Sequence, residues 1–206
     1  LMLFAIKSFI ILILLPFLTA YYLSLDIKST RWILFRWATV LTFFFLIGIV
    51  SSYVSQEVSL PHRLYIQQQS SLKFAVYMGD KSYYRPPIIA PCWLSVIKRS
   101  TEAVYNVMSL PHYSANEKSD KKAAAIENVF LAAALLFSVY FLWRKRRFDL
   151  NFCLLCLCFV FTLYAITGLT TAVLGAMVRY KLPGLLFIGG FCAYAFSLIN
   201  KPEFKS

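Results

Sequence analysis

The sequence predicts an all-α, polytopic membrane protein with about five transmembrane helices and one long extracytoplasmic segment. Three observations predict it. Of 206 residues, 60% are apolar and only 15% charged, against about 25% charged in an ordinary soluble domain. Mean hydropathy is +0.66. The apolar residues also cluster into five runs instead of alternating. These features exclude a disordered chain and a disulfide-stapled miniprotein. Helices are favoured over barrel strands because strands in lipid alternate apolar and polar residues, which these runs do not.

The runs are Leu3–Leu25, Ile33–Val54, Ala124–Trp143, a stretch from Leu150 to Val178, and Pro183–Ile199. A crossing helix needs about 20 apolar residues to cover roughly 30 Å of hydrocarbon. The first three runs meet that length, and the fifth is marginal. In the first run Lys7 is internal and no small-residue cleavage site follows Tyr21 and Tyr22, which favours a span over a cleaved signal peptide. The chain opens on Leu1, with Met2 as an alternative start; a first span that enters from outside fits an odd number of further upstream spans.

The fourth run is too long. As one helix, residues 151–179 would extend about 43 Å. Gly168, Thr170, Thr171 and Gly175 offer places to break it. The expectation is a helix to about Leu169, then an irregular piece within 168–175 and beyond that carries Arg179 and Lys181. Such backbone survives at membrane depth only when buried in protein or lining a wet cavity. The competing reading is one strongly tilted helix.

Sidedness follows from the basic residues in short connections. Lys28, Arg31 and Arg36, then Arg144, Lys145, Arg146 and Arg147, then Lys201 and Lys205 fall on one side of a five-span chain, nine against three for Lys7, Arg179 and Lys181. That side is expected to be cytoplasmic. The chain therefore divides into two spans over 1–54, an outer segment over 55–123, and three spans over 124–206.

The outer segment holds most of the polar chemistry. Leu94, Ile97, Val104, Tyr105 and Met108 recur at helical spacing with Lys98, Arg99 and Glu102 opposite. This predicts an amphipathic helix lying flat at the outer surface, with Trp93 as interfacial anchor. Residues 116–122 read as a charged loop. At about 70 residues the segment is too small for a trusted core of its own, so it is expected to pack on the membrane surface or on a partner. The net charge of +12 fits topology and anionic headgroups; scattered over both faces, it does not point to nucleic acid.

Candidate chemistry is sparse. Glu127 lies one turn into the third span and Arg179 near the outer end of the fourth. If those spans are antiparallel neighbours, the two side chains approach, either as charges matched to helix ends or as a polar site at the membrane boundary. His62 and His112 each follow a proline and could serve as a general base or simply be solvated. Cys153, Cys156, Cys158 and Cys192 read as packing residues and Cys92 as a lone outer thiol. No metal or cofactor is indicated, and no Gly-rich phosphate loop is present.

The stretches Ser95–Asn106, Pro111-His112, Ala125–Phe130, Gly168–Thr171 and Val178–Pro183 resemble the C-terminal half of a group of polytopic bacterial inner-membrane proteins, largely uncharacterised, that accompany envelope-polysaccharide and glycosyltransferase genes. The resemblance covers roughly residues 55–200. This chain has Leu110 where relatives carry Arg, Ser114 where they carry a carboxylate, and Ala172-Val173 where they carry Pro-Asn. The resemblance implies a role in envelope-glycan or lipid-linked sugar assembly at the outer face of the inner membrane. Arg179, Lys181 and Arg85 would then hold a pyrophosphate, and Glu127 or His112 would orient or deprotonate an acceptor hydroxyl. The alternative is a non-catalytic membrane subunit that docks partner subunits through the 55–123 segment. A channel or carrier would need a filter-like motif or an intramembrane acidic chain, which the sequence lacks.

Overall fold

The computed structural model describes residues 2–55, 59–77, 83–110, 119–145 and 148–198. Over these residues the chain forms seven helices: α1 Met2–Leu23, α2 Thr30–Val54, α3 Leu60–Tyr77, α4 Trp93–Ser109, α5 Ser119–Lys145, α6 Leu150–Thr170 and α7 Leu174–Ser197. The all-helical expectation holds among the described residues, where the only β-type pairing is an isolated bridge between Tyr83 and Val173. Among the described residues three helices are long and apolar enough to cross a membrane, within α2, α5 and α6, fewer than the expected five. Of α1, 22 residues long, the described apolar stretch is Ile13–Leu23. In α7, Arg179, Lys181, Pro183 and Gly184 dilute the first half.

The bundle is built around α6. Thirteen of its 21 residues are buried, against α4, α7, α1 and α3. It starts cleanly: the Asp149 carboxylate accepts from the Asn151 and Phe152 amides at 2.9 and 3.2 Å, which satisfies two otherwise orphaned donors. Asn151, itself buried, then ties three helices together. Its Nδ2 donates to the Tyr21 carbonyl at 2.9 Å, and its Oδ1 accepts from Trp37 Nε1 at 2.6 Å. At the same end Leu142 of α5 packs with Cys153 and Cys156 of α6 and with Phe191 and Ala195 of α7. Arg31, at the start of α2, and Arg144, near the end of α5, thus belong to one end of the bundle. Cys153 and Cys156 are packing residues, as expected of buried thiols.

The fourth and fifth apolar runs fold differently from the expectation. α6 ends at Thr170 and only Thr171, Ala172 and Val173 interrupt the helix. Residues 174–182, expected to be irregular, resume a helix that runs unbroken into the fifth run and carries both Arg179 and Lys181. Gly175 lies inside it. Pro183 also lies inside it without ending it, although it has no amide for the Arg179 carbonyl and its ring crowds that oxygen,. α7 folds back antiparallel along α6: Phe187 meets Phe159 with ring centroids 4.4 Å apart, and the Tyr194 hydroxyl accepts from the Asp149 amide at 2.6 Å. Two glycines make this packing possible. A Cβ at Gly184 would lie 2.4 Å from the Tyr164 ring, and one at Gly168 would lie 2.4 Å from the Ala103 carbonyl oxygen.

The outer segment is not a separate layer. α4 packs along α6 through Val96, Ala103 and Val107. Leu94, Ile97 and Tyr105, expected on the apolar side of a helix lying at the outer surface, are exposed, and a separate side of α4 packs on the protein. Trp93 docks on α2, donating from Nε1 to Ser52 Oγ at 3.3 Å and meeting Phe45 with centroids 5.0 Å apart. α3 was not foreseen at all. Its core side is Pro61, Leu64, Gln68 and Ala75, and the glutamine breaks the apolar period by which such helices are read. α5 begins at Ser119, inside the stretch read as a charged loop, and packs on α7 and α4 rather than along α6.

Candidate functional site

Two polar sites are built where the helix break and the outer segment meet.

The first is the break itself. Ending α6 at Thr170 leaves carbonyls without helical donors, and buried carbonyls must find partners elsewhere. Gln68, fully buried on α3, supplies one: its Nε2 donates to Leu169 O at 2.6 Å and to Pro87 O at 2.8 Å, while its Oε1 accepts from the Ile89 amide at 3.1 Å. The Ala172 amide donates to Ser71 Oγ at 2.9 Å. The Ala172 carbonyl accepts from the Tyr84 amide at 2.8 Å. α3 and the extended strip at 83–90 therefore replace the hydrogen bonds that the helix gives up. Beside them the Tyr84 hydroxyl is buried without a hydrogen bond of good geometry. Burial raises its pKa from 10.0 to about 12; Asn106 pulls it down and Glu102 adds to the rise.

The second site joins α5, α7 and the end of α4. Lys181 is 3% exposed and donates from Nζ to Asn128 Oδ1 at 2.6 Å. Asn128, also buried, donates from Nδ2 to the Leu110 carbonyl at 2.9 Å. The Tyr164 hydroxyl donates to the Lys181 carbonyl at 3.5 Å. The cavity here is only about 10 Å³, walled by Val107, Met108, Leu131, Leu185 and Ile188. That is room for about one water, not for a pyrophosphate. Glu127, exposed on α5, lies within electrostatic reach of Lys181.

The residues singled out from sequence are thus distributed unequally. Lys181 is engaged by a neutral amide and enclosed. Arg85, one residue past the Tyr84 clamp, and Arg179, on the second turn of α7, are both exposed. Glu127 and Arg179 do not form an ion pair; the described residues contain one salt bridge, Arg99 to Glu102 at 2.9 Å. α5 does lie on α7, but Arg179 and Lys181 project about 200° apart on that helix, and the side turned to α5 carries Lys181 while Arg179 stays exposed,. His112 falls outside the described residues. His62 is half-buried at the start of α3.

Comparison with known proteins finds no match to a family model, a curated protein or a solved structure.

The assignment must come from the site alone. Among the described residues no three metal-ligating side chains cluster. Nor does any side chain sit as a base against an acceptor-activating partner. What the arrangement offers is exposed cationic binding groups beside a support hydrogen-bonded through Gln68, Ser71 and the Tyr84 amide. Asn128 and Gln68 are the residues that sequence reasoning passed over. Asn128 had a signal, an amide one residue beyond Glu127 inside an apolar run; Gln68 stood within the polar Gln67–Ser71 stretch and had none.

Proposed function

We propose that this chain is a five-span protein of the bacterial inner membrane that binds lipid-linked sugar intermediates at the outer face during envelope-glycan assembly. The observation that carries this reading is the pair of exposed guanidiniums, Arg85 and Arg179, which pair with no carboxylate among the described residues. Both belong to the end of the bundle opposite the Asn151 junction, on segments that the Gln68 and Tyr84 hydrogen bonds hold fixed. Guanidinium groups bind phosphate oxygens bidentately, and a preorganised support lowers the ordering cost of doing so. The family resemblance supplies the glycan context. Lys181 is a structural member of this reading, not a phosphate ligand, and Glu127 is a polar neighbour. The test is Arg179→Ala in the source bacterium, with insertion verified by membrane fractionation. Loss of surface glycan at normal protein level is the expected result; unchanged glycan overturns the reading.

A second reading, a non-catalytic subunit within a larger membrane complex, is favoured by α2. Only Ile33 and Trp37 of its 25 residues are buried. Its outer half borders an open apolar groove of about 530 Å³ lined by Phe43, Leu46, Ile47, Val50 and Val54. A partner helix would fill that space. Co-purification of a stoichiometric membrane partner in mild detergent, lost on Ile47→Trp, supports it; a lone lipid-bound monomer counts against it.

A further inference from the structure

α4 has three faces where an ordinary amphipathic helix has two. At roughly 100° per residue, Val96, Ala103 and Val107 fall on one side, and these are the buried residues. Leu94, Ile97 and Tyr105 fall on a second side and are 77%, 55% and 65% exposed. Lys98, Arg99 and Glu102 lie on the third. Protein covers the first face and water suits the third. The second is an apolar strip that no described part of the protein covers.

The depth of α4 says what meets that strip. Trp93 packs on Gly48 and Ser52 of α2, and Gly48 lies six residues before the outer end of α2, about 9 Å in at 1.5 Å per residue. At the other end of α4, Val107 and Met108 meet Tyr164, also six residues before the end of α6, again about 9 Å in. α4 thus runs along α6, with Ala103 on Gly168 and Val107 beside Tyr164, and it meets α2 at one end and α6 at the other about two turns from the tips of those helices,. Interfacial helices bury their apolar faces about 5–10 Å into the headgroup and acyl boundary. The charge matches as well. Residues 59–110 carry six Lys and Arg against two Asp and Glu. Arg99 is committed to Glu102 at 2.9 Å, which leaves Lys98 as the cation bordering the strip.

We propose that α4 is a lipid-facing interfacial helix: Leu94, Ile97 and Tyr105 contact the acyl chains of an anionic outer leaflet, and Lys98 binds its headgroup phosphates. This rests on the membrane reading above but is independent of the glycan role. It would gather phosphate-bearing lipids along the side of the protein.

The test uses the full chain in vesicles of equal phosphatidylglycerol and phosphatidylcholine. In a Cys92→Ser background a fluorophore is placed by Ile97→Cys, Glu102→Cys or Val50→Cys, one at a time. The expected result is quenching at 97 by a shallow acyl-chain nitroxide, quenching at 102 by aqueous iodide, and lipid quenching at 50. Adding Lys98→Ala should reduce the preference of phosphatidylglycerol over phosphatidylcholine nitroxides at position 97 about fivefold, from roughly 1 kcal/mol per basic residue near an anionic surface. Iodide access at 97 with lipid access at 50 overturns the proposal alone. Iodide access at both overturns the membrane reading with it. Protection of 97 from both quenchers means that protein covers the strip, which also overturns the proposal.

Discussion

α2 and α6 are both long and apolar, and their fates are opposite. In the most apolar window of α6, 61% of residues are buried inside the protein; in that of α2, 11% are. Hydropathy therefore does not say which solvent a helix meets. The difference lies in small and polar side chains. α6 carries Asn151, Cys153, Cys156, Thr167, Gly168 and Thr170, all buried. In lipid, where apolar contact alone gives little advantage to association, close approach and interhelical hydrogen bonds decide which helices pack. α2 instead presents Phe43, Phe45, Leu46 and Ile47 outward, and its small residues Gly48, Ser51 and Ser52 lie where Trp93 of α4 docks.

The contrast can be broken most forcefully at Gly168. Gly168→Val must push α4 off α6, because the new side chain meets the Ala103 backbone and not a flexible tip. A loss of about 3 kcal/mol is expected in detergent unfolding, whereas Leu46→Ala on α2 should change stability by less than about 0.5 kcal/mol. Comparable losses at the two sites would refute the assignment of α6 as core and α2 as lipid-facing. Next in size is Gln68. Gln68→Leu removes the partners of Leu169 O, Pro87 O and the Ile89 amide at once, with an expected cost of about 2–4 kcal/mol from unsatisfied buried groups. Gln68→Glu keeps the acceptor but loses the donor, and should be no milder. Measuring both by the same unfolding midpoint separates hydrogen bonding from shape.

Asn128→Ala sharpens the comparison from the α5 side. It strips Lys181 of its acceptor and Leu110 of its donor, so a loss of about 2 kcal/mol is expected, with α5 becoming the first helix to exchange amide hydrogens. Simultaneous exchange of α5 and α6 would argue against a peripheral α5. The smallest effect is at Tyr84. Its pKa is raised on folding, so the neutral form is the one favoured by the fold. That contribution is complete below pH 10 and fades as pH rises through about 12,. Tyr84→Phe removes an unpartnered buried hydroxyl and should raise stability by about 1 kcal/mol near neutral pH while flattening the alkaline decline. An unchanged alkaline limb in the variant would assign that decline to other groups.

Much of the architecture was legible because hydrocarbon thickness imposes a length and the positive-inside rule imposes a grouping. The all-helical class, the grouping of Arg31 with Arg144 at one end, and an interruption near 168–175 could all be read that way. The extent of the interruption could not. Whether residues 174–182 stay unwound depends on who satisfies the freed carbonyls, and the answer lies about a hundred residues upstream in Gln68, Ser71 and Tyr84. α4 was legible as a helix with an outward apolar strip and a charged side, but its protein side, Val96, Ala103 and Val107, was not, since it is apolar too. The site was legible only as a set of cations. That Lys181 is enclosed while Arg85 and Arg179 stay open depends on α5 lying over α7, a neighbour relation with no mark in the sequence.

The Gln68 amide reaches a carbonyl 101 positions further along the chain. During synthesis α3 and α4 leave the ribosome well before the hairpin they grip exists. Until α6 and α7 arrive, their inward surfaces have nothing to seat against, and long-range closures of this kind are slow. A nascent chain interrupted after α5 would leave the Gln68 amide and the inward sides of α3 and α4 without the α6–α7 hairpin that covers them.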